Sequence, residues 1–145
     1  MADAVTKKTL VDDAVFYAII LTNVSDGTGE SAVVKADKSA IAVARDGAEA
    51  ASLDLVYAKW SCVGMQVRLL WDHNVDDLMI ILDGQGEENF GVPTQHSGGK
   101  WMTQALADPR STNTPAGTGD VLLTTVGHTS GDTYYIKLVF EKNPD

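Results

Sequence analysis

The chain is poor in cysteine, in histidine, in basic charge and in long apolar runs, and each shortage removes a class of protein. A single cysteine, Cys62, cannot close an internal disulfide, so the fold does not rest on cross-links. It sits in "KWSCVG", a strand-like stretch where a lone cysteine is a small buried apolar group. A reactive thiol would need a cationic neighbour that the local sequence does not guarantee. The three histidines, His73, His96 and His128, show no paired zinc-ligand spacing. Eleven Lys and Arg against twenty Asp and Glu leave a net charge of −9. Phosphate backbones and anionic membranes repel such a surface, so neither nucleic acid nor membrane is an expected partner. No apolar run approaches the roughly 20 residues that span a bilayer. The opening "MADAVTKKTLVDDA" lacks the apolar core of a secretory signal. Synthesis and assembly in a cytoplasm are therefore expected, and the Asn-Val-Ser at Asn23 is not read as a glycosylation acceptor.

What is present is a chain of 145 residues, the size of one domain, with 44% apolar residues from which to build a core. Residues 1–13 are polar and of mixed charge, and read as an arm or an edge strand. The run "AVFYAIILTN" (14–23) is apolar, β-branched and aromatic, as in a strand covered on both faces. The turn "SDGTG" follows, and "ESAVVKAD" (30–37) reads as the next strand. "LDLVYAKWSCV" (53–63) alternates, with Val56, Ala58, Trp60 and Cys62 on one face and Leu55, Tyr57, Lys59 and Ser61 on the other. "MQVRLLW" (65–71) turns Met65, Val67, Leu69 and Trp71 inward. "LMIILD" (78–83) is apolar on both faces and reads as a central strand, joined to the previous one in a hairpin. "GDVLLTTV" (119–126) and "TYYIKLVFEK" (133–142) read as a second hairpin, with Tyr134, Ile136, Leu138 and Phe140 sharing a face.

Two stretches are less regular. Residues 38–52 are alanine-rich; Gly47 argues against a long helix, and a short helical turn near "AEAA" is expected. Residues 84–118 are rich in Gly, Pro, Ser and Thr without clear period, the mark of a functional or mobile loop. That loop has room for an edge strand near "ENFGV" and a helical turn near "TQALAD". The sum is an all-β domain over 14–145, an antiparallel β-sandwich or jelly-roll-like barrel of about seven or eight strands, with an arm at 1–13.

Several stretches carry residue types found in ligand or catalytic sites. "TNVSDGTGESAVV" (22–34) resembles a phosphate or metal loop at first sight. It has no lysine, and strand rather than helix follows, so a strand-turn-strand with Gly27 and Gly29 at positive φ is the reading. "DHNVDD" puts Asp72, Asn74 and Asp76 at alternate positions, as a calcium loop does. Its sixth and twelfth positions are Asp77 and Asp83 rather than Gly and Glu, and a polar hairpin turn accounts for it. "GHTSG" (127–131) is not a nucleophile elbow, because the serine falls one place late. Asp83, Glu87 and Glu88 contain a conceivable glycosidase pair, with solvated charge as the plainer account. Phe90, Trp101 and Met102 lie in the long polar loop; they either pin it to the core or anchor a partner. No catalytic residue, cofactor site or metal site is assigned.

Three stretches resemble a family of small structural proteins of tailed bacteriophages: "LTNVSDGTGESAVVKAD" (21–37), "VRLLWD" (67–72) and "GDVLLTTVGHTSGDTYYIKLVFEK" (119–142). The resemblance implies an all-β, non-enzymatic virion protein of the capsid-decoration (cement) kind. Its implied partners are the major capsid protein and further copies of itself, as a homo-oligomer such as a trimer, on the capsid exterior. An alternative keeps the virion but places the chain at the tail, neck or fibre, joining parts or binding host glycans. A small hydrolase using the acidic residues of the long loop is the reading from another class.

Overall fold

A computed structural model of the chain describes residues 3–72, 76–90 and 119–143. These hold nine strands: β1 (Ala4–Asp12), β2 (Phe16–Val24), β3 (Val33–Ala36), β4 (Ser52–Val63), β5 (Gln66–Trp71), β6 (Asp77–Leu82), β7 (Gln85–Asn89), β8 (Val121–Val126) and β9 (Thr133–Asn143). They form two antiparallel sheets, β1-β2-β9-β4-β7 and β3-β8-β5-β6, packed face to face as a sandwich rather than closed into a barrel. The seven strands read segment by segment are joined by β1, the edge-strand alternative for the N-terminal residues, and by β7, which begins the stretch read as loop and overlaps the edge strand expected near "ENFGV".

The inner faces follow the sequence where alternation is unbroken. Tyr134, Ile136, Leu138 and Phe140 of β9 are all buried, as are Met65 before β5 and Val67, Leu69 and Trp71 within it. They meet Ile19 and Leu21 of β2 and Leu123 of β8 in one core. The buried Trp71 Nε1 donates to Leu53 O across the sandwich at 2.9 Å, tying the sheets together with its one polar atom satisfied.

Two bulges invert faces that simple alternation assigns. In β4 the pairing with β9 shifts between Leu55 and Tyr57, so Val56 is an extra residue. Leu55, expected to share the face of Tyr57 and Lys59, is instead fully buried with Leu53. In β6 the register against β5 passes from Ile80 to Leu78, leaving Met79 unmatched. Met79 and Leu82 are buried while Leu78 and Ile81 are exposed, and β6 is the sheet's edge, not a central strand. Its second apolar face is therefore exposed surface.

Strand partnership differs more deeply from expectation. β5–β6 is the hairpin the sequence suggests, and β1–β2 is a second one, closed by Asp13 Oδ1 accepting from Val15 N and Phe16 N at 2.8 and 2.7 Å. β2 and β3, however, lie in different sheets, and so do β8 and β9. Both turns read as hairpins are crossovers. Residues 38–51 form no helical turn near "AEAA". The chain bends there through Gly47 at φ +80°, while Ala44 and Ala50 are drawn into the core. Burial of two small side chains thus overrides helix propensity.

Candidate functional site

The two crossovers meet at one end of the sandwich. Ser25 N donates to Asp132 O at 2.7 Å and Gly131 N returns a bond to Ser25 O at 2.8 Å. Deeper in, Thr125 N donates to Glu30 O at 2.9 Å, and Thr125 Oγ1 accepts from Glu30 N at 2.9 Å. The segment between β2 and β3 is therefore held along the connection from β8 to β9. Register between sheets, rather than within one, is what this segment sets.

The loop does cradle an anion, the carboxylate of Asp3 from the segment before β1. Asp3 Oδ1 accepts from Asp26 N at 3.0 Å and Gly29 N at 3.2 Å, with Ser25 Oγ at 3.5 Å. Asp3 Oδ2 accepts from Asn23 Nδ2 at 3.1 Å. Desolvation works to raise the Asp3 pKa, but the bonds from Asn23, Asp26 and Gly29 outweigh it and hold the group down at about 2. Gly27 and Gly29 have φ of +98° and +78°, as the sequence suggests. A side-chain carbon on Gly29 would collide with the His128 ring. The cradle needs both the left-handed backbone and the missing side chain at that position.

Beneath it lies a buried polar network. Glu30 Oε1 accepts from Asn23 Nδ2 at 2.7 Å and from the Tyr134 hydroxyl at 2.5 Å, and Glu30 Oε2 pairs with Lys35 Nζ at 2.6 Å. Burial first, and then the Glu30 carboxylate, push the Tyr134 phenol well above its ordinary pKa. It stays a neutral donor. Asn23 is buried too, so its Asn-Val-Ser pattern offers no accessible acceptor. Its Oδ1 is the one buried side-chain atom without a partner among the described residues. Turning the amide over would aim that oxygen at two carboxylates, so the observed orientation is the one the charges require.

His128 closes the end. Its Nε2 meets Thr28 O at 3.1 Å and its Nδ1 meets Thr125 Oγ1 at 3.1 Å. Because a carbonyl only accepts, Nε2 carries a proton. A hydroxyl beside an imidazole invites comparison with a nucleophile and its base. Here Thr125 is buried and already accepts from Glu30 N, and the imidazole is tied to a backbone carbonyl instead of a carboxylate. The pair acts as a brace between two connections.

The remaining sequence candidates are scattered. Glu87 and Glu88 lie on β7, not in a loop, and face opposite sides of the sheet, opposite Lys59 and Ala58 respectively. Adjacent strand residues cannot converge on one bond as a glycosidase pair must. Glu87 Oε2 accepts from the Tyr57 hydroxyl at 2.6 Å, and that bond raises the Tyr57 pKa to about 12, with burial adding to it. Cys62 is buried; desolvation, with Asp83 nearby, lifts its thiol to about 11, which makes it an inert core group. Phe90 packs partly buried against the core, its N donating to Val56 O at 2.8 Å, as the pinning role requires. Trp101, Met102, Asn74 and the "TQALAD" turn lie outside the described residues. Asp72 and Asp76 belong to no cluster of potential metal ligands among the described residues.

Two features had little or no local sequence signal. Lys142 is completely buried; its Nζ bonds Asp12 Oδ1 at 2.5 Å, Asp13 O at 2.6 Å and Ala42 O at 2.9 Å. Three donors meet three acceptors, and the ammonium lies 6.0 Å from the Tyr17 ring centroid. On the outer face of the five-stranded sheet, Leu10, Val11, Phe16, Ala18, Lys137 and Val139 line a groove of about 350 Å³. It arises because the bulge near Leu10 in β1 carries an apolar pair beside the bare outer face of β2 and β9.

Compared with family models, curated proteins and solved structures, the chain matches none.

Proposed function

We propose that this protein is a non-enzymatic structural protein of a tailed-bacteriophage virion, which decorates the outer surface of the capsid shell and stabilises it by binding the major capsid protein. The observation that carries this reading is the placement of its polar groups. Glu30, Tyr134, Lys35, Thr125, His128 and Lys142 are bonded to one another or to backbone, and they brace the sandwich. The surface left for other molecules is acidic overall, with an apolar groove and open sheet edges. Such a surface suits broad contact with protein and is repelled by packaged DNA. The resemblance of residues 21–37, 67–72 and 119–142 to phage structural proteins supplies the setting.

In this reading the groove around Phe16 and Val11 faces the shell, because it joins apolar area to a rim of strand backbone. Adding the purified chain to capsids stripped of it tests the proposal. Saturable binding that raises the temperature of capsid disruption is expected, and Phe16→Asp should weaken it. Absence of binding together with unchanged heat resistance would contradict it.

A further inference from the structure

The five-stranded sheet ends on two strands of opposite charge. β1 carries Lys7 and Lys8 at its centre, and β7 carries Glu87 and Glu88. Every residue of β1 is exposed, and so is every residue of β7 except the half-buried Gly86. Among the described residues, the backbone of β1 pairs with β2 alone and that of β7 with β4 alone. Four antiparallel steps separate these edges, so they run in the same direction. Pairing also fixes their faces. Lys8 lies opposite Ile20 and Glu87 opposite Lys59, on the outer face; Lys7 lies opposite Leu21 and Glu88 opposite Ala58, on the inner face. Each face of the sheet thus carries one lysine at one edge and one glutamate at the other; on the inner face Lys7 Nζ already lies over the Tyr17 ring, 5.7 Å from its centroid, so the outer-face pair Lys8 and Glu87 carries the recognition.

We infer that a second copy of this chain docks head to tail, with β1 of one copy extending the sheet beyond β7 of the next as a parallel strand. With Lys8 beside Glu87 on the outer face, Lys7 falls beside Gly86 and one diagonal from Glu88 on the inner face. Every side chain then keeps its face, as strand addition demands. The Tyr57 hydroxyl holds Glu87 Oε2, which positions the carboxylate and leaves Oε1 for the neighbouring copy. A two-fold arrangement is disfavoured, because it sets β1 against β1 or β7 against β7 and brings like charges together. Lysines on an edge ordinarily repel an added strand; on the acidic edge of β7 their charge is favourable instead. Head-to-tail contacts close into a ring when the rotation per copy allows it. Exposed Lys–Glu pairs across strands are individually weak. The association is therefore weak alone and sensitive to salt. It stands whether or not the chain binds a shell.

Sedimentation velocity of the full chain, from micromolar to millimolar concentration at low and high salt, tests it. Species larger than a monomer are expected at low salt and should dissociate at high salt, a readout that needs no substitution. Lys7→Glu/Lys8→Glu and Glu87→Lys/Glu88→Lys should each be monomeric while keeping the wild-type circular dichroism. Their equimolar mixture should reassociate, since one then has two acidic edges and the other two basic edges. A wild type that stays monomeric throughout, variants that assemble as the wild type does, or a mixture that remains monomeric would each overturn the inference.

Discussion

The Lys142 ammonium lies 2.5 Å from Asp12 Oδ1, with the lysine side chain fully buried and the aspartate side chain 30% exposed. This ion pair fastens the last strand of the chain to the end of the first. It also carries the bend of residues 38–51, through Ala42 O. Losing the carboxylate would strand a buried positive charge on two carbonyls. Losing the lysine would leave a carboxylate that water can reach.

The two halves of the pair should therefore differ in cost. Breaking a fully buried pair costs about 3–5 kcal/mol. Partial exposure of Asp12 reduces that, so Asp12→Ala is expected to lower stability by roughly 2 kcal/mol. Lys142→Met removes the buried charge and packs its thioether on Tyr17, so it should cost less. Denaturant midpoints measured at equal m-value give the order; a larger loss for Lys142→Met would contradict it.

Acid should unfold the protein partly through Asp3. Its folded pKa, about 2, lies below its ordinary 3.8. A depressed folded pKa means stability that is fully present above the ordinary value and is lost as pH falls through the folded one. Asp13 and Asp37 are lowered as well, Asp13 chiefly by the backbone N–H of Phe16 and Asp37 chiefly by the Ser39 hydroxyl. Asp3→Asn should flatten, but not abolish, the fall in stability between pH 4 and pH 2. Stability profiles of the two proteins that run parallel across that window would show that the cradle contributes nothing.

Gly29 joins backbone strain to a steric limit. Gly29→Ala is expected to cost about 2 kcal/mol or more, of which the left-handed backbone accounts for about 1–2 kcal/mol. In a His128→Ala background the collision disappears and only the backbone part should remain. Equal costs in both backgrounds would mean that the ring does not limit this position. Gly27→Ala, with φ +98° and an added Cβ no nearer than 3.8 Å to Ser130 N, should show the backbone cost alone.

How much of this was legible in the sequence depends on the distance over which each feature is decided. Strand positions and the inner faces of β5 and β9 follow from alternation, which is local. The bulges at Val56 and Met79 were not legible, because one extra residue is defined only against a partner strand. Whether "SDGTG" turns back or crosses over was not legible either. Two strands separated by a short glycine-bearing loop look alike in both cases, and only the pairing of β2 with β9 decides. Lys142 had a partial signal: it continues the inward series Tyr134, Ile136, Leu138, Phe140 by one step. Nothing near it in sequence announces Asp12 as its partner. Of the candidate contacts, Phe90 could be followed into the fold, where it lies against the core.

A density map of the intact particle is the decisive test of the proposed place of this chain on the outside of the shell. Sandwich-shaped density is expected on the outer surface of the major capsid protein, with the groove at Phe16 turned toward the shell. The same density found only at the tail, the neck or a fibre, or missing from the particle, would contradict it.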